Sequence, residues 1–223
     1  MHLIHDLTNA FEKAAVASDR MPMIKYMKGH FDFYGVRSPK RKELFREILK
    51  SNGIPPQQLA IKIILDLMNH PKREMNYAAI DLALRVQKKY SQPEDLQWIR
   101  EIILTRSWWD TVDGIAPNIL GKFLQNYPEL RDPCLKDFIQ SDNIWLQRST
   151  LLFQLRYKKD TDQDILFTLC KSLSHSKEFF IQKAIGWALR QYAYTNKEAV
   201  YDFVEGHSLS NLSKREALKH RKN

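Results

Sequence analysis

Trp109 and Asp113, an indole and a carboxylate four residues apart, form the pair in this sequence best suited to chemistry. Ser107 and Asp110 match the S-x-x-D/E pattern that opens a helix, in which the serine oxygen bonds free backbone N–H groups of the first turn. Residues four apart on a helix share one face, so the spacing sets an aromatic plane beside an acid. Such a face suits a positively charged, sugar-like group.

Asp113 is also unusual for its place along that helix. It lies too far from Ser107 to cap the helix, and the residues from Gly114 to Pro117 should break the helix soon afterwards. A carboxylate late in a short helix faces the negative end of the macrodipole. This position favours a functional role for Asp113 over a structural one.

Three more candidate residues, Arg148, Lys183 and Trp187, lie later in the chain. Arg148 and Lys183 each lie seven residues after a serine that resembles a helix start, and Trp187 lies one helical turn beyond Lys183. The alternative for each tryptophan is core packing, which is the more common fate of an aromatic residue at helical spacing.

The sequence predicts that helices position these side chains. Apolar residues recur at intervals of three and four along the chain, and glycine is scarce, at 7 of 223 residues. Candidate helix starts at positions 38, 70, 107, 141, 176 and 213 are, by subtraction, 32 to 37 residues apart. A second series of starts falls between them. Two helices per period predict an all-α fold, a curved α-solenoid of about six HEAT-like helix pairs with a concave basic face. No linker interrupts the pattern, so we expect one domain over residues 1–223.

Basic residues dominate the chain, with 35 Lys and Arg against 26 Asp and Glu and a net charge of +9. The stretch from Arg20 to Lys50 contains nine basic residues and only three acidic ones. Four aromatic residues are interleaved with the basic ones: Tyr26, Phe31, Phe33 and Tyr34. A charge run is often only a solvated helix face, whereas interleaved aromatic and basic residues favour a nucleic-acid contact. Solenoids also commonly bind proteins, so a protein-interaction scaffold is an alternative.

Several classes of function find no support in the sequence. It contains no G-x-x-x-x-G-K-S/T or G-x-G-x-x-G loop, no H-x-x-x-H pair and no G-x-S-x-G elbow. The two cysteines, Cys134 and Cys170, are isolated, so we expect neither a disulfide framework nor a metal site. No signal peptide or membrane-spanning stretch is evident. We expect a cytoplasmic protein that needs no metal and no cofactor, nucleotide or otherwise.

Five segments resemble the AlkD family of HEAT-like-repeat DNA glycosylases, which act on alkylated purines. Together they spread over nearly the whole chain: Tyr26–Phe31, Ser107–Asp113, Ser141–Arg148, Lys177–Trp187 and Leu212–Ala217. The family often has a glutamine before the Ser/Thr-Pro turn, where this chain has Arg37. That departure bears on any contact to the opposite base, and so on lesion preference.

The resemblance implies excision of cationic N3- and N7-alkylpurines from double-stranded DNA without base flipping, leaving an abasic site. It implies that Asp113 is the catalytic carboxylate and that Trp109 and Trp187 pack against the deoxyribose of the lesion. The implied partner is alkylated duplex DNA, with no membrane and no second copy of the chain, and the protein lies on the nucleoid when bound. The implied DNA-binding residues are Tyr26, Lys28, Arg37, Ser38, Arg41, Arg148, Lys183, Lys214 and Arg215. Because some relatives keep this scaffold and lack the activity, a catalytically silent binder of DNA structure is the second alternative.

Overall fold

The computed structural model describes residues 2–219, and the regular secondary structure of these residues is helical. The helices group into two compact units, Met1–Arg106 and Ser107–Asn223. No strand occurs in residues 2–219, apart from one isolated bridge between Asp32 and Lys72. The all-α solenoid prediction is confirmed. The curvature, the concave basic face and the single domain stay predictions.

Over residues 2–106, the first unit consists of six α-helices, and a short 3₁₀ turn at Pro93–Asp95 leads into the last of them. Their bounds are α1 His2–Lys13, α2 Ala17–Tyr26, α3 Ser38–Asn52, α4 Gln57–Asn69, α5 Arg73–Tyr90 and α6 Leu96–Leu104.

In the described part of the second unit, residues 107–219, there are eight α-helices. Their bounds are α7 Trp109–Ile115, α8 Gly121–Asn126, α9 Arg131–Gln140, α10 Ile144–Leu152, α11 Gln163–Ser172, α12 Phe179–Tyr192, α13 Lys197–Gly206 and α14 Asn211–Ala217. Within residues 2–219, no helix combines the length and the apolar character that crossing a bilayer requires.

The helical spacing of apolar residues explains how these helices pack. In α1, Leu3, Leu7 and Phe11 recur every four residues and are all buried, as the sequence predicts. Burying each such side chain stabilises the fold by about 1.5–3 kcal/mol. In the second unit, Ile181 and Ile185 form the matching buried stripe of α12, the helix that carries Lys183 and Trp187.

Several predicted helix starts are wrong by two or three residues. The helices expected to open at Ser107, Ser141 and Ser176 begin instead at Trp109, Ile144 and Phe179. The residue directly before each helix, Trp108, Asn143 or Glu178, has an extended backbone, so the serines lie outside the helices. In α10 the cap is Asn143, whose side-chain oxygen accepts hydrogen bonds from the next turn, in agreement with the strong preference of asparagine for this position.

For the last helix, the S-x-x-E spacing of Ser213 and Glu216 predicts a capping box, and this prediction is also wrong. The cap of α14 is Ser210, whose hydroxyl oxygen accepts a hydrogen bond from the Ser213 N–H at 3.0 Å. The Ser213 hydroxyl instead donates to the carbonyl of Gln182 on α12 at 2.9 Å. Ser213 therefore joins two helices rather than starting one.

Near the N-terminus, the sequence predicts a short helix from Met21 to His30, whereas the helix of the structure lies earlier in the chain, at Ala17–Tyr26. Lys28 and Gly29 follow with φ of 53° and 78°, in the left-handed region that ends a helix. The α3 start at Ser38, with Pro39 in the first turn, agrees with the prediction.

Candidate active site

The structure brings five of the predicted site residues together in the second unit. Trp109 and Asp113 of α7, Arg148 of α10, and Lys183 and Trp187 of α12 line one open cleft of about 250 Å³. This cleft is called the Asp113 cleft below. Trp109 and Trp187 are both half-buried rather than sealed in the core, so their ring surfaces remain partly available to a ligand. The roles of these residues stay predictions.

The backbone beyond Asp113 differs from the expected helix break. Pro117 has no N–H to donate to the carbonyl of Asp113, and the chain responds with a π-helical turn at Ala116–Leu120 that leads directly into α8. The Asn118 amide donates to the Gly114 carbonyl at 2.7 Å within this turn. Such π turns are frequent at functional sites, because they alter the helix register locally.

Asp113 is held by a two-pronged ion pair. The Arg148 Nε and Nη2 atoms donate to its two carboxylate oxygens at 2.8 and 2.9 Å. The side chains of Asp113 and Arg148 are 17% and 4% exposed, respectively. A paired guanidinium with parallel bonds fixes the plane of the carboxylate as well as its position. The carboxylate is therefore oriented before any ligand arrives, and part of it borders the cleft.

Arg148 was predicted to hold the DNA backbone, and the structure gives it a different primary partner. Its remaining prong donates to the Phe180 carbonyl. The Phe180 ring lies 6.0 Å from the guanidinium carbon and packs with the rings of Trp108 and Trp145, with centroids 5.1 to 5.6 Å apart. Because the guanidinium is almost fully buried, little of it remains for a phosphate, and its contacts favour positioning Asp113.

Burial raises the pKa of the Asp113 carboxyl above its ordinary value, because removal from water disfavours the charged form. The hydrogen bonds and the positive charge of Arg148 oppose this rise. The result is an acid that is held ionised by one partner in a partly desolvated site.

Lys183 has an acidic partner that sequence analysis missed. Its Nζ lies 2.8 Å from Glu216 of α14, and Arg190 Nη1 lies 2.8 Å from the other oxygen of the same carboxylate. Lys183, Arg190 and Glu216 all line the Asp113 cleft. The helical period of α14 could have found Glu216, because it shares the buried face of Ser213 and Ala217.

The predicted DNA-binding residues of the first unit differ in exposure. Tyr26 is 69% exposed, and Lys28, Arg37 and Ser38 are exposed as well. Arg37 forms an ion pair with Asp19 through a guanidinium that stays largely open to solvent.

Arg41 differs from this group and corrects the expectation of an open cation. Its side chain is 6% exposed and donates to Asp81 of α5 at 2.5 Å. The pair joins α3 to α5, so Arg41 has little surface for a phosphate.

Two predicted contacts fall on the C-terminal helix. Arg215 is exposed, whereas Lys214 is half-buried. The sequence also predicts a basic tail that begins at Ser213, and its residues at positions 220–222 lie outside the described residues.

A buried carboxylate organises the loop that presents Arg37 and Ser38. Glu74 of α5 accepts hydrogen bonds from the backbone N–H groups of Tyr34, Gly35 and Val36 at 3.0, 2.9 and 3.0 Å. Gly35 has φ of 96° and lies close against the backbone of Val16, so a side chain would fit neither its conformation nor its space. Sequence analysis missed this anchor, because Glu74 lies about forty residues from the loop.

Fold and site together define a class: an all-α helical-repeat protein in which an arginine-held carboxylate shares an open cleft with two indoles. A family model for DNA alkylation repair enzymes matches residues 7–220, and the chain belongs to that family. A solved structure described as a predicted DNA alkylation repair enzyme from Enterococcus faecalis is similar, with a TM-score of 0.85 and 32% identity. The match covers 92% of this chain and 96% of that one. A comparison with curated proteins found no match.

Proposed function

We propose that this chain is a DNA glycosylase that hydrolyses the N-glycosidic bond of cationic N3- and N7-alkylpurines in duplex DNA. The observation that carries the proposal is the Asp113 carboxylate, held by Arg148 at 2.8 and 2.9 Å beside two half-buried tryptophans. Membership of the DNA alkylation repair family supports the choice of substrate.

The chemistry suits these residue types. An alkylated purine already carries a positive charge, so it leaves with the electron pair of the C1′–N bond and needs no general acid. The sugar becomes an oxocarbenium-like cation, as in glycoside hydrolysis. Water then adds to C1′ and loses a proton, which Asp113 can accept. The products are the neutral free base and an abasic site.

Electrostatic attraction supplies most of the expected acceleration. A carboxylate roughly 4 Å from the cationic sugar contributes about 4 kcal/mol at an effective dielectric near 20, or on the order of a thousandfold in rate. The ring faces of Trp109 and Trp187 add attraction for a cation of about 0.5–2 kcal/mol each. Arg148 offsets some of the negative charge, but its two bonds fix the carboxylate in the orientation that the reaction needs.

The cleft favours base removal without strand cleavage. Lys183 is the lysine that lines it, and its ammonium group is engaged by Glu216 at 2.8 Å. A Schiff-base nucleophile must be a neutral amine, so this ion pair disfavours covalent attack on the sugar. The enzyme therefore acts as a monofunctional glycosylase, working as a monomer on DNA in the cytoplasm, without metal or cofactor.

The direct test is incubation with a duplex that carries a single N7-methylguanine. Treatment with alkali converts abasic sites to strand breaks, which a denaturing gel resolves, and a gel-shift assay on the same duplex measures binding. We expect alkali-dependent breaks, no breaks before alkali and no adduct trapped by borohydride.

Two other outcomes would overturn the proposal. Duplex binding without abasic product would favour a catalytically silent binder of DNA structure. Absence of both product and DNA affinity at physiological salt would favour a protein-interaction scaffold.

A further inference from the structure

Glu216 is the second carboxylate of the Asp113 cleft, and it is surrounded by cations. Lys183 Nζ, Arg190 Nη1 and Lys219 Nζ each lie 2.8 Å from its oxygens, and its side chain is 5% exposed. Burial alone would raise the pKa of Glu216, but the hydrogen bonds from these cations lower it to about 2. The group is therefore a fixed negative charge at any pH at which DNA is repaired.

The packing of α14 against α12 sets the position of this charge. Gly186 lies at the crossing of the two helices, where an added Cβ would come within 2.4 Å of the Glu216 Cβ. The Ser213 hydroxyl donates to the Gln182 carbonyl of α12 at 2.9 Å, which fixes α14 along the same helix. Glu216 is thus held under the stretch of α12 that carries Lys183, Trp187 and Arg190.

The charges of the cleft explain why a second acid would matter. Three cations line the cleft: Arg148, Lys183 and Arg190. The negative charge of Asp113 is already paired with Arg148. Without Glu216, Lys183 and Arg190 would face the cleft uncompensated. Uncompensated cations would strengthen binding of the polyanionic DNA but disfavour a sugar that becomes positively charged during the reaction. Catalysis requires an environment that favours the transition state over the bound substrate.

We propose that Glu216 is a positioning residue that holds Lys183 and Arg190 on the cleft wall and offsets their charge beside the cationic sugar. The inference rests on the glycosylase function proposed above. It gives Glu216 opposite effects on two measurable steps: it weakens DNA binding slightly and speeds base excision. A residue that served only to stabilise the fold would not separate these two steps.

The test is Glu216→Gln, which keeps the side-chain shape and removes the charge. We expect the single-turnover excision rate at saturating N7-methylguanine duplex to fall about tenfold, the effect of a unit charge roughly 10 Å away at an effective dielectric near 20. We expect DNA affinity to rise severalfold at low salt, with the salt dependence steeper by about one counterion.

Lys219→Gln is the matched control, because it removes a cation from the same carboxylate while leaving Lys183 and Arg190 paired. Its excision rate should stay within about twofold of the native rate. Arg190→Gln provides a second test of opposite sign, and it applies even where Glu216→Gln fails to fold. Removing this cation leaves excess negative charge in the cleft, so excision should be as fast or faster while DNA affinity falls.

Native excision by Glu216→Gln at saturating DNA would overturn the inference. So would a Glu216→Gln variant that loses rate and affinity together, or an Arg190→Gln variant that excises much more slowly at saturating DNA. These failures differ from failure of the proposed function, in which the native protein itself makes no abasic sites.

Discussion

Glu74 in the first unit and Asp113 in the second are both acids held by strong hydrogen bonds, yet their surroundings differ. Glu74 is 1% exposed, and three backbone N–H groups of its own unit occupy its oxygens. Asp113 is held on one side by Arg148, while its 17% exposed side chain borders an open cleft. A carboxylate whose oxygens are filled by backbone stabilises the fold. A carboxylate that is oriented by an ion pair on one side and exposed to a cleft on the other can act on a ligand.

Asp113→Asn tests this comparison with the largest expected effect. The amide keeps the shape but not the charge, so excision of N7-methylguanine should slow by about a hundredfold to a thousandfold. DNA affinity should not fall and should rise severalfold at most, because the amide leaves the charge of Arg148 uncompensated, as Glu216→Gln does for Lys183 and Arg190. Single-turnover rates at saturating duplex, together with gel-shift titrations, measure the two quantities separately.

Asp142→Asn is the matched control for Asp113→Asn, since it removes an equal charge from an exposed position in the same unit. It should excise at the native rate. Equal rates for native protein and Asp113→Asn would remove Asp113 from the mechanism and with it the contrast to Glu74.

Glu74→Ala tests the other side of the comparison. It leaves three N–H groups without their acceptor, two of them on the buried backbone of Gly35 and Val36. The free energy of unfolding should fall by about 3 kcal/mol, as each unsatisfied buried donor costs about 1–3 kcal/mol. Urea unfolding followed by circular dichroism measures this, and excision by the folded fraction at saturating DNA should stay near native.

The comparison variant for stability is Glu43→Ala, which removes an exposed partner of Lys40. Surface pairs of this kind contribute about 0–1 kcal/mol, so its unfolding curve should nearly overlay that of the native protein. If Glu74→Ala unfolded like Glu43→Ala but lost excision, Glu74 would belong to the site rather than to the scaffold.

Local spacing accounts for what the sequence predicted well. The period of apolar residues identified the helices, and the four-residue interval put Trp109 and Asp113 on one face of α7, where both line the same cleft. Serines misled the placement of helix starts, because a serine can lie two residues before the residue that caps the helix, as Ser141 does before Asn143. Its hydroxyl then donates to the Phe138 carbonyl instead of capping α10.

Long-range pairing accounts for what the sequence did not reveal. Apart from Lys219, the partners of Glu74 and Glu216 lie 26 to 40 residues away, and such distant partners leave no local pattern. The same holds for Arg148 and Arg41, which were expected to face DNA and instead pair with Asp113 and Asp81. An acid on an otherwise buried helix face, as at Glu216, is the one feature from which such a pair can be suspected.

The response to acid should separate catalysis from folding. Its expected effect is the smallest of these predictions, a fall of about tenfold in excision rate per pH unit below the pKa of Asp113. Burial raises the pKa of Asp113 above the ordinary 3.8, whereas Asp32 and Glu216 have pKa values of about 2. Excision needs ionised Asp113, so it declines as pH falls through that raised pKa. Asp32 and Glu216 have depressed pKa values, so the stability they contribute is complete above their unfolded values and is lost only as pH falls towards 2.

A range of pH should therefore exist in which the protein is folded but slow. Single-turnover excision and far-ultraviolet circular dichroism across the same buffers measure the two curves, with spontaneous depurination subtracted from a protein-free sample. Asp113→Asn should show no such decline, because its residual activity has no carboxylate to protonate. If excision and helical signal fell with one midpoint, unfolding would explain the loss. Asp113 would then be, like Glu74, an acid whose charge matters to the fold rather than to the reaction.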